Sequence, residues 1–219
     1  MADINARVKD FQPRGQPVVS VDTKPQALVG DLAHGGRASP PHGAPERVRG
    51  HAVVDPRVGN AMPDGVYEMT QHGGGGSGGG AHEPAALALA TVRPWWQRMG
   101  CRLSPTAQHV LMTADGGGSH GSRARLWTVA WQKFRDTTGL AVSVGHVPPG
   151  TRQWHTIAQR VLCHSTQNWR GRPLVSHEVM VNLMANPTTE AGLRVAAALD
   201  PSPYETGKQV SDAALAHVN

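Results

Sequence analysis

Two aspartates stand where their chemistry could be used. Asp22 closes the β-branched run PVVSVDTK (17–24), and Asp115 closes the apolar run HVLMTAD (109–115). If the two runs pair in one sheet, their ends bring two carboxylates side by side, an arrangement suited to a divalent cation that prefers hard oxygen ligands. The same residues also fit a plainer role, because aspartate favours the turn that follows a strand. Asp115 is followed by three glycines and a basic, helix-ready segment, but no Gly-Lys-Ser/Thr follows, so this is not a Walker A loop. The 12 histidines show no HxH or HExxH spacing, and Cys101 and Cys163 lie outside any CxxC pattern, so a histidine or cysteine metal site is not indicated.

Positioning these acids requires strands, and the pattern supplies them. Strands are predicted over 17–24, 65–71, 109–115 and 140–147, with ALVGDL (27–32) as a continuation after a kink. Helices are predicted over 84–100, where Pro94 should kink or split the helix and Gly100 stop it, and over 122–139, 154–169 and 174–185. Trp127 and Trp131, four residues apart within a helical pattern, read as core, whereas Trp154 and Trp169 fit either core packing or base stacking. Residues 33–64 have no periodicity and read as loop, and GGGGSGGG (73–80) reads as flexible linker. Early strands without helices, followed by alternating strands and helices, indicate an α/β chain with a mixed sheet flanked by helices.

At 219 residues the chain can bury one core, but 39% hydrophobic residues with 26 glycines and 17 prolines point to a modest one. Lysine and arginine number 21 against 16 acids, a formal charge of +5. That balance favours an anionic partner such as nucleic acid without specifying a fold. There is no apolar leader and no window of membrane-span length, so the expected location is cytoplasmic and nucleoid-associated, with no membrane partner.

The blocks VVSVDTK, ALVGD, GVYEM, LMTADGGGSHGSRARLW, HVPPGTRQWHTI and TQNWRGRPLVSHEVMVNL resemble, in order from about residue 4 to about residue 212, the catalytic region of ISAzo-thirteen insertion-sequence DDE transposases. The resemblance implies an RNase H-like fold, DNA (transposon ends and target) as partner, multimeric action and two Mg²⁺ or Mn²⁺ ions held by an Asp-Asp-Glu triad. The first two acids fall on Asp22 and Asp115. The third falls on Ala158, within Trp154-His155-Thr156-Ile157-Ala158-Gln159-Arg160, so a carboxylate is missing and activity is expected to be impaired. His155, three residues earlier, is the nearest substitute ligand, better suited to Mn²⁺ or Zn²⁺ than to Mg²⁺. Glu178 is a remoter one.

Arg123, Arg125, Arg152, Trp154, Arg160, Arg170 and Arg172 are the candidate DNA contacts, with an ordinary solvated surface as the alternative. The expected organisation is a lead-in over 1–16, a catalytic core over 17–170 with 33–64 and 73–83 loop or flexible, and a C-terminal extension over 171–219. The family has an apolar edge strand where this chain has the glycine run, so that strand is expected to be lost or frayed. The resemblance further implies an N-terminal region with DNA-binding helices ahead of the first strand, which makes this chain a fragment or a decayed copy on that reading. The competing function is a catalytically dead DNA-binding remnant or a pseudogene product.

Overall fold

The computed structural model describes residues 2–23, 27–30, 60–79, 91–115, 125–148, 161, 163–186, 193–199 and 209–218. Its strands are β1 (Val18–Thr23), β2 (Ala27–Leu28), β3 (Asn60–Glu68), β4 (Gly73–Gly79), β5 (His109–Asp115), β6 (Ala141–Val147) and β7 (Arg194–Leu199). They form one sheet in the order β6-β5-β1-β3-β4-β7, with the short β2 paired to β3. The β1–β3 and β3–β4 pairings are antiparallel, whereas β1–β5, β5–β6 and β4–β7 are parallel.

Strand alternation divides the core between two faces. On one face Val19, Val21, Val66, Val110, Met112 and Ala114 pack against Trp127, Trp131 and Phe134 of α3 (Arg125–Thr138). Trp95 joins them from helix α2, which runs through 91–95, a π turn at Trp96–Gly100 and a last α turn at Cys101–Leu103. The opposite face carries α1 (Ala2–Phe11), with Phe11 on Val18 and Leu111. It also carries α4 (Cys163–Trp169) and α5 (His177–Ala185), whose Trp169, Met180, Val181 and Met184 pack with Leu174 and against Ala197 and Leu199 of β7. A mixed sheet between two helical layers is the RNase H-like α/β arrangement that the sequence resemblance implies.

The expectation that the glycine run would be a lost edge strand is corrected. β4 is an interior strand, in register with β3 from Met62↔Gly79 to Glu68↔Gly73 and with β7 from Gly73↔Arg194 to Gly78↔Leu199. A β-ladder is made of backbone donors and acceptors, so glycine can hold it on both edges. What glycine lacks is side-chain volume, and the neighbours supply it. A Cβ on Gly75 would lie 2.8 Å from Trp95 Cδ1, and one on Gly74 would lie 3.0 Å from Val195 Cγ2 and 3.3 Å from Val161 Cγ2. The strand is therefore covered by large residues from α2, β7 and Val161.

Other boundaries move as well. Residues 60–64 belong to β3 and not to a loop, and 69–72 form the turn after it. Helix α2 does not stop at Gly100 but passes through it to Leu103, and a side chain at Gly100 would collide with Trp96, so the glycine admits the π turn. The lead-in contains α1, whose Ile4 rests on Gly145 of β6. Within 171–219, β7 joins the sheet beside β4, and α6 (Asp212–Ala216) follows it in the chain. Gly139 ends α3 with φ +74° while its N–H donates to the Arg135 carbonyl at 2.7 Å, the left-handed C-cap that glycine adopts without strain.

Candidate metal centre

The two acids stand at the same end of neighbouring strands. β1 and β5 are adjacent and parallel, with Val18↔Leu111, Val19↔Met112 and Ser20↔Thr113 as partners. Continued by two residues, the same offset sets Asp22 level with Asp115 at the carboxyl ends of both strands. The register is held from both ends. Gln16 Oε1 accepts from the backbone N–H of Gln108 and His109 at 2.9 and 2.8 Å, at the start of β5. Nearer the acids, the buried Thr113 hydroxyl donates to the Val19 carbonyl at 3.4 Å.

Val18, Ser20 and Asp22 alternate onto the face that carries α1, and Asp22 is half-buried there. On its other side Asp22 pairs with Gly65, which contributes no side chain to that row. Val161, three residues past position 158, packs with Tyr67 and over Gly74. Tyr67 and Gly74 are register partners in the row of Ser20, so Val161 lies on the same face as Asp22.

The buried carboxylate of Glu68 carried no signal of its role in the sequence. It pairs with Val19 in register and so lies on the opposite face from Asp22, toward the other end of β1. Its oxygens accept from the backbone N–H of Thr70 at 3.0 Å and from that of Gln71, which fixes the turn after β3. Glu68 is thus a turn anchor and no replacement for the third acid. Glu178 is exposed in the first turn of α5, behind the Ser176 N-cap, where an acid complements the helix dipole.

His155 and Ala158 lie outside the described residues, as do Arg123, Arg152, Trp154 and Arg160. Arg125, Arg170 and Arg172 are exposed. The last two flank Gly171 on the turn that follows α4, and the Leu174 carbonyl just beyond accepts from Gly30 N–H at 2.8 Å. That bond ties the arginine turn to the segment continuing β1 past Asp22. Trp127, Trp131 and Trp169 are buried core residues, which settles Trp169 as packing. Among the described residues no group of three or more His, Cys, Asp or Glu side chains is gathered as a metal site, and no helix is long and apolar enough to cross a membrane.

The model of the Rhodopirellula transposase DDE domain matches residues 1–219. The chain belongs to this family. As a transposase DDE domain it carries the catalytic-core architecture of that enzyme class, in agreement with the ISAzo-thirteen resemblance. No curated protein matches the chain. Among solved structures it is similar to a chain of the Mos1 mariner paired end complex with Mn, at 13% identity and a TM-score of 0.47, over 79% of this chain and 48% of that one. The DDE domain thus spans about half the length of that protein.

The donor chemistry can be tested against the metal that the family implies. Mg²⁺ is commonly held by one or two carboxylates together with substrate phosphate oxygens. Asp22 and Asp115 are two carboxylates at the same end of adjacent strands, which matches that number. By donor type alone, the two carboxylates suit one such ion.

Proposed function

We propose that the chain is the metal-dependent phosphoryl-transfer core of an insertion-sequence transposase, with Asp22 and Asp115 as its metal-binding catalytic residues and its third acid lost at Ala158. The observation that supports this reading is the parallel β1–β5 pairing, Val18↔Leu111 to Ser20↔Thr113, whose offset carried on by two residues would set Asp22 level with Asp115. A Mg²⁺ or Mn²⁺ ion held there supplies charge neutralisation at the scissile phosphate. The chain's own part is to fix both carboxylates through the strand register and to hold DNA by phosphate contacts. Arg125, Arg170 and Arg172, with Arg123, Arg152, Arg160 and Trp154, are the proposed DNA contacts, acting sequence-independently through charge and stacking.

Losing one ligand of three weakens the positioning and electrostatic stabilisation on which this chemistry depends, so catalysis is impaired. Ala158 equally favours a second reading, a DNA-binding domain that no longer cuts.

Cleavage and strand transfer with Mn²⁺ separate the two. Restoring the acid with Ala158→Glu should raise the rate by at least about 10²-fold, and Asp22→Asn or Asp115→Asn in that background should remove the gain. Cleavage by the unaltered chain that survives Asp22→Asn would overturn the site assignment. No gain on Ala158→Glu, with DNA binding retained, would favour the silent domain.

A further inference from the structure

The C-terminal segment returns to the helix that follows Asp115. α3 is connected to β6 by Gly139 and Leu140, and Ala141 pairs with His109 at the first residue of β5. The last turn of α3 is therefore at the starting end of β5, and the helix runs back along that strand. Fourteen residues of helix span about 21 Å and seven of strand about 23 Å, so Arg125, the first residue of α3, lies at the Asp115 end.

There the Arg125 guanidinium donates to Asp212 Oδ1 at 2.5 Å and to the Val210 carbonyl at 3.5 Å. Further along, Val218 lines a cavity of about 390 Å³ between α3 and β6, together with Trp127, Trp131 and His146. The tail thus has a polar anchor at the acid end of the sheet and an apolar anchor beside it.

We infer that segment 209–218 is an autoinhibitory strap, in which Asp212 occupies the Arg125 guanidinium that a DNA phosphate would otherwise take. This rests on the proposed DNA-binding role of Arg125. Both partners are exposed, Arg125 by 55% and Asp212 by 89% of their side-chain surface, so the pair is screened by solvent and salt. A contact of that strength can be exchanged for DNA, whose backbone presents a charge every ~1.7 Å of duplex. The strap lowers affinity for stray anions and yields to a polyanion aligned across the acid end.

Fluorescence anisotropy of a labelled mixed-sequence duplex, over a salt series, tests this with Asp212→Asn, Arg125→Ala and the double variant. Asp212→Asn should tighten binding by about two- to fivefold and steepen the salt slope by about one phosphate contact. Arg125→Ala should weaken binding in the unaltered chain, and should weaken it more in the Asp212→Asn background, where no carboxylate competes for the guanidinium. The double variant should bind like Arg125→Ala. Equal tightening by Asp212→Asn with and without Arg125 would show a general charge effect and overturn the strap, and so would no tightening at all. Absence of DNA binding by every variant would remove the DNA reading and the strap with it. DNA binding that weakens equally with Arg125→Ala in both backgrounds would keep the DNA reading and discard the strap.

Discussion

The two halves of the sheet reach the same burial by opposite means. In the β1–β5–β6 half, the strands bring their own bulk. Val18, Val19, Val21, Val110, Leu111 and Met112 are almost entirely buried, and helices α1 and α3 rest on them. In the β3–β4–β7 half, β4 brings none, and Trp95, Val161 and Val195 descend to meet its backbone. The first half owes its register to alternating side chains, because a slip by one residue would turn every valine to the wrong face. The second owes its register to β3 and β7, whose own sequences are fixed by what covers them. The acids sit in the half with the stronger specification, where a misplacement of either one by a residue would part them.

The largest test of this contrast is Trp95→Ala. Emptying the space over Gly75 should cost about 3–5 kcal/mol, read as a fall in the denaturant midpoint, a large share of a domain's total stability. A loss below about 1 kcal/mol would show that β4 does not depend on its cover. Next, Gly75→Val should cost about 1–3 kcal/mol by overpacking against Trp95. In the Trp95→Ala background the same substitution should cost less or turn stabilising, and strict additivity in that double-mutant cycle would break the idea that one side chain replaces another. The smallest effect belongs to the acid half. Thr113→Val removes a hydroxyl bonded to the Val19 carbonyl while preserving shape, and should cost no more than about 1.5 kcal/mol in thermal unfolding. A loss comparable to Trp95→Ala would mean that hydrogen bonding, and not valine packing, holds β1 to β5.

Strands of the first kind are legible in the sequence, whereas of the second kind only β3 is, through the predicted strand over 65–71 that overlaps it at 65–68. The runs ending at Asp22 and Asp115, and the run 140–147, are apolar, β-branched and bounded by turn residues, so their type and limits follow from local pattern. β4 has no pattern to read, since its pairing is a property of its partners. β7, RVAAAL, is rich in alanine, which leans toward helix in isolation and is overridden by the open edge of β4. Helix α1 does have a local signal, Ile4, Val8 and Phe11 on one helical face, although 1–16 reads as a lead-in without it. Of the candidate site, the two acids follow from strand ends and the vacancy at 158 from resemblance. The pairing of Arg125 with Asp212, 87 residues apart, has no local trace.

The bare strand also has an evolutionary consequence. An ordinary interior position can err in two directions, toward a hole or toward a clash, and drift through one can be undone by drift through the other. Glycine is already the smallest residue, so at Gly74 and Gly75 every amino-acid replacement errs toward a clash. Tolerance at those sites is one-sided, and relief can come only from shrinking a residue elsewhere, Trp95 for Gly75 and Val195 or Val161 for Gly74.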